Sequence, residues 1–370
     1  MAPPSPSALY LLLSFAVSMC SSAGPVFAVM SDTVPPFLKA SWRLWCQELI
    51  QLLPFLLQLR SCWSRRQSLP LLSLCGVSLG VHFGAWVWSI EHTTLAHSLL
   101  WVSMHPIILN VSGWVLYALS YSREPPSRLE TAGTAIGLAG GVVMLGDVLF
   151  AADAASDAAS HGGARRPTLA GDLVAFVGAL AMAVYLVIGR SARKWCPIWL
   201  YAFPVTGVAV ATTLALALAA GKGEVDVFCL ADGCAFGFLR PENLAFSAYL
   251  GGGAGVGGHT LLNFLLEFLS PIVVATSLLM EPLIGGLIGA ILGVQENPGG
   301  WTWTGGVVLM VGLLIVVWSE NRAASGGFVE RGDEVEGVEG VGLKSAAVAD
   351  EAESDRDDRG TPDLITNVSL

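Results

Sequence analysis

The chain has 370 residues, 54% of them hydrophobic and only 13% charged, with a formal net charge of −10. Soluble domains carry about 25% charged residues, so this composition and a mean hydropathy of +0.64 exclude an ordinary water-soluble core and call for lipid as the outer solvent. The charge is concentrated at one end: residues 321–370 hold 12 acidic and 5 basic residues. The first 320 are nearly neutral, which argues against nucleic acid as a partner.

Ten apolar stretches are predicted as membrane-spanning helices, at 7–31, 36–59, 69–90, 95–119, 129–150, 168–189, 197–219, 243–266, 271–294 and 301–319. Each approaches the ~20 residues that the hydrocarbon requires. Inside lipid each must satisfy its own backbone hydrogen bonds. The first has a rival reading as a signal peptide over 9–23. It has no basic n-region, however, and runs on through Phe27-Ala28-Val29, so the spanning reading is taken. Residues 151–167 are small and polar and read as a linker. The loop 220–242 carries Cys229 and Cys234, close enough for a disulfide that the sequence leaves open. Residues 320–370 read as a disordered acidic tail.

With the N-terminus in the cytoplasm, the inner loops hold eight Lys and Arg (Arg60, Arg65, Arg66, Arg123, Arg128, Arg190, Arg193, Lys194). The outer loops hold four (Arg165, Arg166, Lys222, Arg240). This bias places both termini on the cytoplasmic side of a multi-pass protein. Which membrane holds it, and whether it forms a homodimer, the sequence leaves open.

One pattern occurs twice. His105-Pro106 and then Gly133 and Gly140 in the first half match Glu281-Pro282 and then Gly305 and Gly312 in the second. The prolines are offset by 176 positions (106 to 282) and the glycines by 172 (133 to 305, 140 to 312). Five spans per half put the second half in the membrane upside down. The expected architecture is therefore an all-α integral membrane protein of ten transmembrane helices, built as two inverted five-helix repeats at 7–150 and 168–319 around a midplane site.

Gly171-Asp172-Leu173, Ala181-Met182-Ala183-Val184-Tyr185, the run from Pro271 through Glu281-Pro282-Leu283, Gly293 to Glu296, and Gly305-Gly306 to Gly312 together resemble the EamA-type domain of the drug/metabolite transporter superfamily. The resemblance covers 168–319 well and about 15–150 weakly. It implies a ten-helix bundle moving small organic metabolites by alternating access. His105 departs from it, since the family usually has an apolar or hydroxyl residue there.

Ionisable groups in a span cost about 2.5–3.5 kcal/mol each if charged, so Glu48, His82, His105, His259 and Glu281 ask for a reason. Each has a plain reading as a helix-to-helix hydrogen bond. The functional reading makes Arg43, Glu48, Trp86, Trp101, His105, His259, Asn263 and Glu281 the candidate substrate-binding residues. Glu281 or His105 is then the candidate carrier of a coupling proton, and Trp86 and Trp101 form an aromatic wall. Pro106 and Pro282 break helices, and Gly305 and Gly312 let helices pack closely. Lys39 and Arg43, four apart on one face, read either as snorkelling to headgroups or as attracting an anion. Trp301, Trp303 and Trp318 read as interfacial anchors.

Asp147 and Asp172 each follow a glycine. They lack the Gly-x-Gly-Asp string of intramembrane proteases and read as solvated span ends, so no enzyme is expected. No phosphate loop, metal-ligand cluster or cofactor motif is present in the sequence. The resulting expectation is a secondary transporter of a small organic molecule, with lipid as its surroundings and a proton as candidate coupling ion. The competing readings are a nucleotide-sugar or phosphosugar exchanger and a non-transporting receptor or scaffold. With Lys39 and Arg43 as the only basic residues in spans, the sequence favours neutral, zwitterionic or cationic substrates.

Overall fold

The computed structural model describes residues 5–58, 69–120, 125–150, 166–193, 195–221, 225–265, 267–269, 277–278, 280–294, 299–316 and 318–319. The linker expected at 151–167, apart from its last two residues, and the acidic tail expected at 320–370 lie outside the described residues. Among those described, the chain is helical and has no strand.

The first apolar stretch folds as α1 (Pro6–Ser21) and α2 (Ala23–Val29), with a break at Ser22. α3 (Pro36–Gln58) and α4 (Leu69–His92) follow as long single helices. The fourth stretch divides into α5 (Leu95–Val102) and α6 (His105–Ala118). α7 (Arg128–Met144) opens on a capping box in which Ser127 and Glu130 satisfy each other's backbone N–H groups, and α8 (Gly146–Phe150) extends it. α9 (Leu169–Arg193) and α10 (Ile198–Ala220) are again long.

The eighth stretch is unusual. α11 (Pro241–Tyr249) runs into a π-helix (Leu250–Thr260) and then α12 (Leu261–Leu265). Six of the eleven π-helical residues are glycine, and these small residues let the segment lie directly on α1 and α3. A Cβ at Gly251 would stand 2.5 Å from that of Cys46, and one at Gly258 would stand 2.7 Å from Cys20 Sγ. α13 (Glu281–Ile291) ends at Gly293, whose φ of +71° favours glycine. The last helix, α14, is Gly300–Val316.

Among the described residues, five helical segments are long and apolar enough to cross a membrane: Ser7–Val29, Leu69–His92, Leu95–Ala118, Leu169–Arg193 and Ile198–Ala220. α3 has the length but carries Lys39, Arg43 and Glu48. The outward surface is apolar, with Leu57 77%, Ile291 76% and Val142 67% exposed. A surface of this kind needs a non-aqueous cover. Trp301, Trp303 and Trp318 are also exposed.

The main core lies where α3, α4, α9 and α10 meet. α4 fits against α10 through Gly76 and Gly80, where any Cβ would collide with Val208 and Thr212. α7 crosses α14 just as closely. A Cβ on Gly133 would meet Gly312 O at 2.8 Å, and one on Gly140 would meet Gly305 O at 2.7 Å.

The loop after α10 folds over the end of α3. Cys229 and Cys234 form a disulfide, and the Trp42 indole N–H donates to Cys234 O at 3.1 Å. In the same loop Asp232 accepts hydrogen bonds from Asn243, Thr33 and Arg240. These bonds, that from Asn243 foremost, hold its carboxyl below the ordinary aspartate range.

Candidate functional site: a buried polar cavity at the helix breaks

The helix breaks converge on one cavity of about 60 Å³. At ~10–15 Å³ per water, this is room for a handful of heavy atoms. α6 begins at His105 and α13 at Glu281, each preceded by a methionine N-cap and followed by proline. Both first residues line the cavity, so the electropositive N-terminal ends of two helices face it. Proline lacks the N–H that would bond four residues back. Pro106 thus leaves the carbonyl of Val102 without a helical N–H partner, and the His105 ring faces it.

α3 contributes Arg43, 2% exposed. Its guanidinium lies 3.9 Å over the Phe83 ring, and its Nε and Nη1 have no hydrogen-bond partner among the described residues. This placement overturns the snorkelling reading, because the side chain points into the bundle. Lys39, one turn earlier, is also buried. It donates to Glu91 at 2.5 Å and to the carbonyl of Met30 at 3.3 Å. Arg43 thus stands as the cavity's own cation. No ion pair joins it to Glu281 among the described residues.

The imidazoles complete the polar wall. His82 Nδ1 donates to Gly178 O at 2.9 Å, the helix-to-helix bond expected of it, while its ring lines the cavity. Among the described residues His105 makes no side-chain hydrogen bond of normal geometry, and Nε2 of His259 is buried without a partner. Asn263 shares a face with His259, and its amide donates to Tyr185 Oη at 2.9 Å and His259 O at 2.8 Å. Trp86 and Cys20 close the apolar side. Unused buried donors of this kind are costly, and the Arg43 fork with the imidazoles is suited to an anionic group.

Six of the eight candidate substrate-binding residues, Arg43, Trp86, His105, His259, Asn263 and Glu281, line this cavity. Two stand outside it. Glu48 is five residues beyond Arg43, about 140° round the helix at 3.6 residues per turn, and its carboxylate sits over Gly207 of α10. Trp101 turns away toward Gly141 and Phe176. Pro106 and Pro282 stand at the two helix starts, and Gly305 and Gly312 at the α7–α14 crossing. Met182 and Tyr185, from the string Ala181 to Tyr185 quoted for the resemblance, also line the cavity, and so does Cys20, which no sequence signal singles out.

Asp147 and Asp172 are not solvated ends. They are 9% and 1% exposed, and both belong to a buried chain of hydrogen bonds. Asp172 accepts from Thr93 Oγ1 at 2.8 Å and faces His97 Nδ1 at 2.9 Å. His97 Nε2 lies 2.7 Å from Thr302 Oγ1, and that hydroxyl contacts Asp147 Oδ2.

No family model and no curated protein matches this chain. A solved structure described only as "Crystal structure of protein" is similar with a TM-score of 0.53 and 20% identity, over 84% of this chain and 96% of that one. A likeness at this identity is one of fold alone.

Proposed function

We propose that this protein is a secondary transporter that moves a small organic metabolite by alternating access, and that its ten apolar stretches form two inverted five-helix repeats of the EamA type. The observation that carries the reading is the cavity: a buried arginine with unused donors, two helix N-termini and unsatisfied imidazoles, all enclosed by helices with an apolar exterior. A soluble receptor has no need of that exterior. A purely structural bundle gains nothing from unpaired buried donors.

The packing supports the repeat. Gly133 corresponds to Gly305 and Gly140 to Gly312, and the contacts are crosswise: Gly133 meets Gly312, and Gly140 meets Gly305. Such an exchange is what a two-fold axis produces, since residue i of one unit meets residue j of the other and the reverse. Helix partnerships follow the same rule: α4 packs on α9 and α10, while α1 and α3 pack on the π-helix. Two halves related in this way have inward-open and outward-open arrangements of similar energy.

The cavity narrows the substrate. Its volume is far below that of a nucleotide sugar, and one arginine is too little for a doubly charged phosphate. A small zwitterion or carboxylate suits Arg43, with Glu281 opposite for an ammonium group. The lysine and arginine bias places both termini in the cytoplasm.

Purified protein in proteoliposomes, offered a panel of labelled small carboxylates and zwitterions, tests this. Uptake should occur for one class and fall about 10-fold to 150-fold in Arg43→Gln, the value of a lost charge-assisted hydrogen bond. Binding without flux would favour the receptor reading. Nucleotide-sugar exchange abolished by Arg43→Ala would favour the exchanger.

A further inference from the structure

The chain of side chains Asp172, His97, Thr302 and Asp147 contains three contacts in series: Asp172 Oδ2 to His97 Nδ1 at 2.9 Å, His97 Nε2 to Thr302 Oγ1 at 2.7 Å, and Thr302 Oγ1 to Asp147 Oδ2. Each pair of electronegative atoms at hydrogen-bond distance needs one proton between them. The threonine hydroxyl supplies one and a neutral imidazole supplies one. Ionised carboxylates supply none. Two protons cannot fill three contacts, so the arrangement requires a third, carried either as an imidazolium at His97 or as a carboxylic acid at Asp172 or Asp147.

Among the described residues, the further donors at the two carboxylates do not supply the third proton: Thr93 Oγ1 donates to Asp172 Oδ1 at 2.8 Å, outside the three contacts, and the Thr302 backbone N–H donates at 2.7 Å to Asp147 Oδ2, the same oxygen that meets the Thr302 hydroxyl. All four residues are buried, His97 completely. Of the nearby charges, Glu91 on α4 is paired with Lys39, His92 stacks on Trp88, and Arg166 is exposed ahead of α9. Glu281 lies on α13, which packs on α5, and Arg190 and Arg193 lie at the far end of α9.

The four residues come alternately from the two halves of the chain. His97 and Asp147 belong to the first and Asp172 and Thr302 to the second, so every one of the three contacts joins one half to the other. We propose that this chain is a proton-binding site, and that it holds the halves together at this face only while the third proton is present. Loss of that proton to water leaves two carboxylates and a neutral imidazole, with one contact now lone pair against lone pair, and the face opens. The role of this proton as the coupling ion rests on the transport reading, but its binding does not.

The test uses the full chain with Cys46, Cys62, Cys75 and Cys196 replaced by alanine, which leaves Cys20 in the cavity and the Cys229–Cys234 disulfide. Asp172→Asn supplies its own N–H to His97 Nδ1 and still accepts from Thr93, so it should stay closed at every pH, and its labelling follows only the ionisation of the Cys20 thiol. In sealed vesicles, labelling of Cys20 by an impermeant maleimide on the His97 side, divided by that of Asp172→Asn at the same pH, should rise about tenfold from pH 5 to pH 9. Asp172→Asn with the wild-type pH dependence would overturn the proposal.

A second measurement needs no variant to fold well. Nitrogen NMR of labelled histidine, with the infrared carboxylic-acid band of isotope-labelled aspartate, which separates it from the glutamates, should show at neutral pH either a doubly protonated His97 or a protonated aspartate carboxyl. A neutral His97 with no such band would sink the proton count. A protein that binds this proton and moves no metabolite would end the transport reading and leave the proton site standing.

Discussion

Lys39 and Arg43 sit one turn apart on α3, both nearly inaccessible, yet their situations differ. Lys39 has Glu91 at 2.5 Å, and Arg43 has only an aromatic face and free donors. Removing one partner of a buried pair leaves a charge without compensation and costs about 3–5 kcal/mol, whereas replacing both is often near neutral. Lys39→Met should therefore lower thermal stability in detergent sharply, and Lys39→Met with Glu91→Gln should recover most of the loss. Arg43→Met, which removes a charge that has no ion-pair partner, should be neutral or stabilising in the same assay while abolishing transport. This contrast separates the structural cation from the functional one. It also explains what was legible in the sequence. A charge within an apolar run announces that it has a reason, so Arg43, His105, His259 and Glu281 could be singled out. Which reason depends on a partner 52 residues away for Lys39, and on the rotation of one helix for Glu48, which stands beside α10 and outside the cavity.

At the scale of elements, the α7–α14 crossing is set by glycine alone. A Cβ at Gly140 would stand 2.3 Å from Leu309 N, a backbone atom that cannot swing aside. Gly286 of α13 has nothing within 4 Å of such an atom. Gly140→Val should therefore abolish folded, monodisperse protein, while Gly286→Ala should raise the melting temperature slightly, by the ~1 kcal/mol that separates the two residues in a helix interior. Equal tolerance at the two sites would remove close approach as the reason for the crossing. The repeat spacing of these glycines could be read directly from the sequence, but their crosswise contact could not, because spacing carries no information about which helix lies opposite. The π-helical stretch was equally hidden. Its glycines announced small residues and close packing, whereas the backbone winding follows from how Gly251 and Gly258 seat against α3 and α1. Asp172 stood out in the sequence but read as a solvated span end, and His97 and Thr302 gave no signal, since the three come from separate helices and form no motif.

For the whole molecule, the crossing has two ends and they are not alike. At one end Asp147 accepts from the backbone and side chain of Thr302. The position 172 residues after Asp147 is Ser319, and at the other end Ser319 Oγ lies 2.7 Å from Ser127 Oγ. Under the inverted-repeat reading Asp147 and Ser319 are counterparts, and the two fasteners differ: one is charged and tied to a proton, the other is made of two hydroxyls and indifferent to pH. Alternating access requires each to part in turn. A disulfide spans a Cβ separation of about 3.5–4.5 Å, close to that of two hydroxyls in contact, so Ser127→Cys with Ser319→Cys should cross-link under mild oxidation. The cross-linked protein should lose net flux and regain it on reduction, while binding of substrate from the opposite face persists. Asp147→Cys with Thr302→Cys removes two members of the buried chain, so its reduced form is the baseline; oxidation should arrest whatever flux that form retains, with the accessible face reversed, as read by maleimide labelling of Cys20 before the closing oxidation is undone. Full flux with either cross-link in place would mean that α7 and α14 stay together throughout the cycle. The cavity would then have to open elsewhere, along α4 and α9, where the helices are in contact over most of their length.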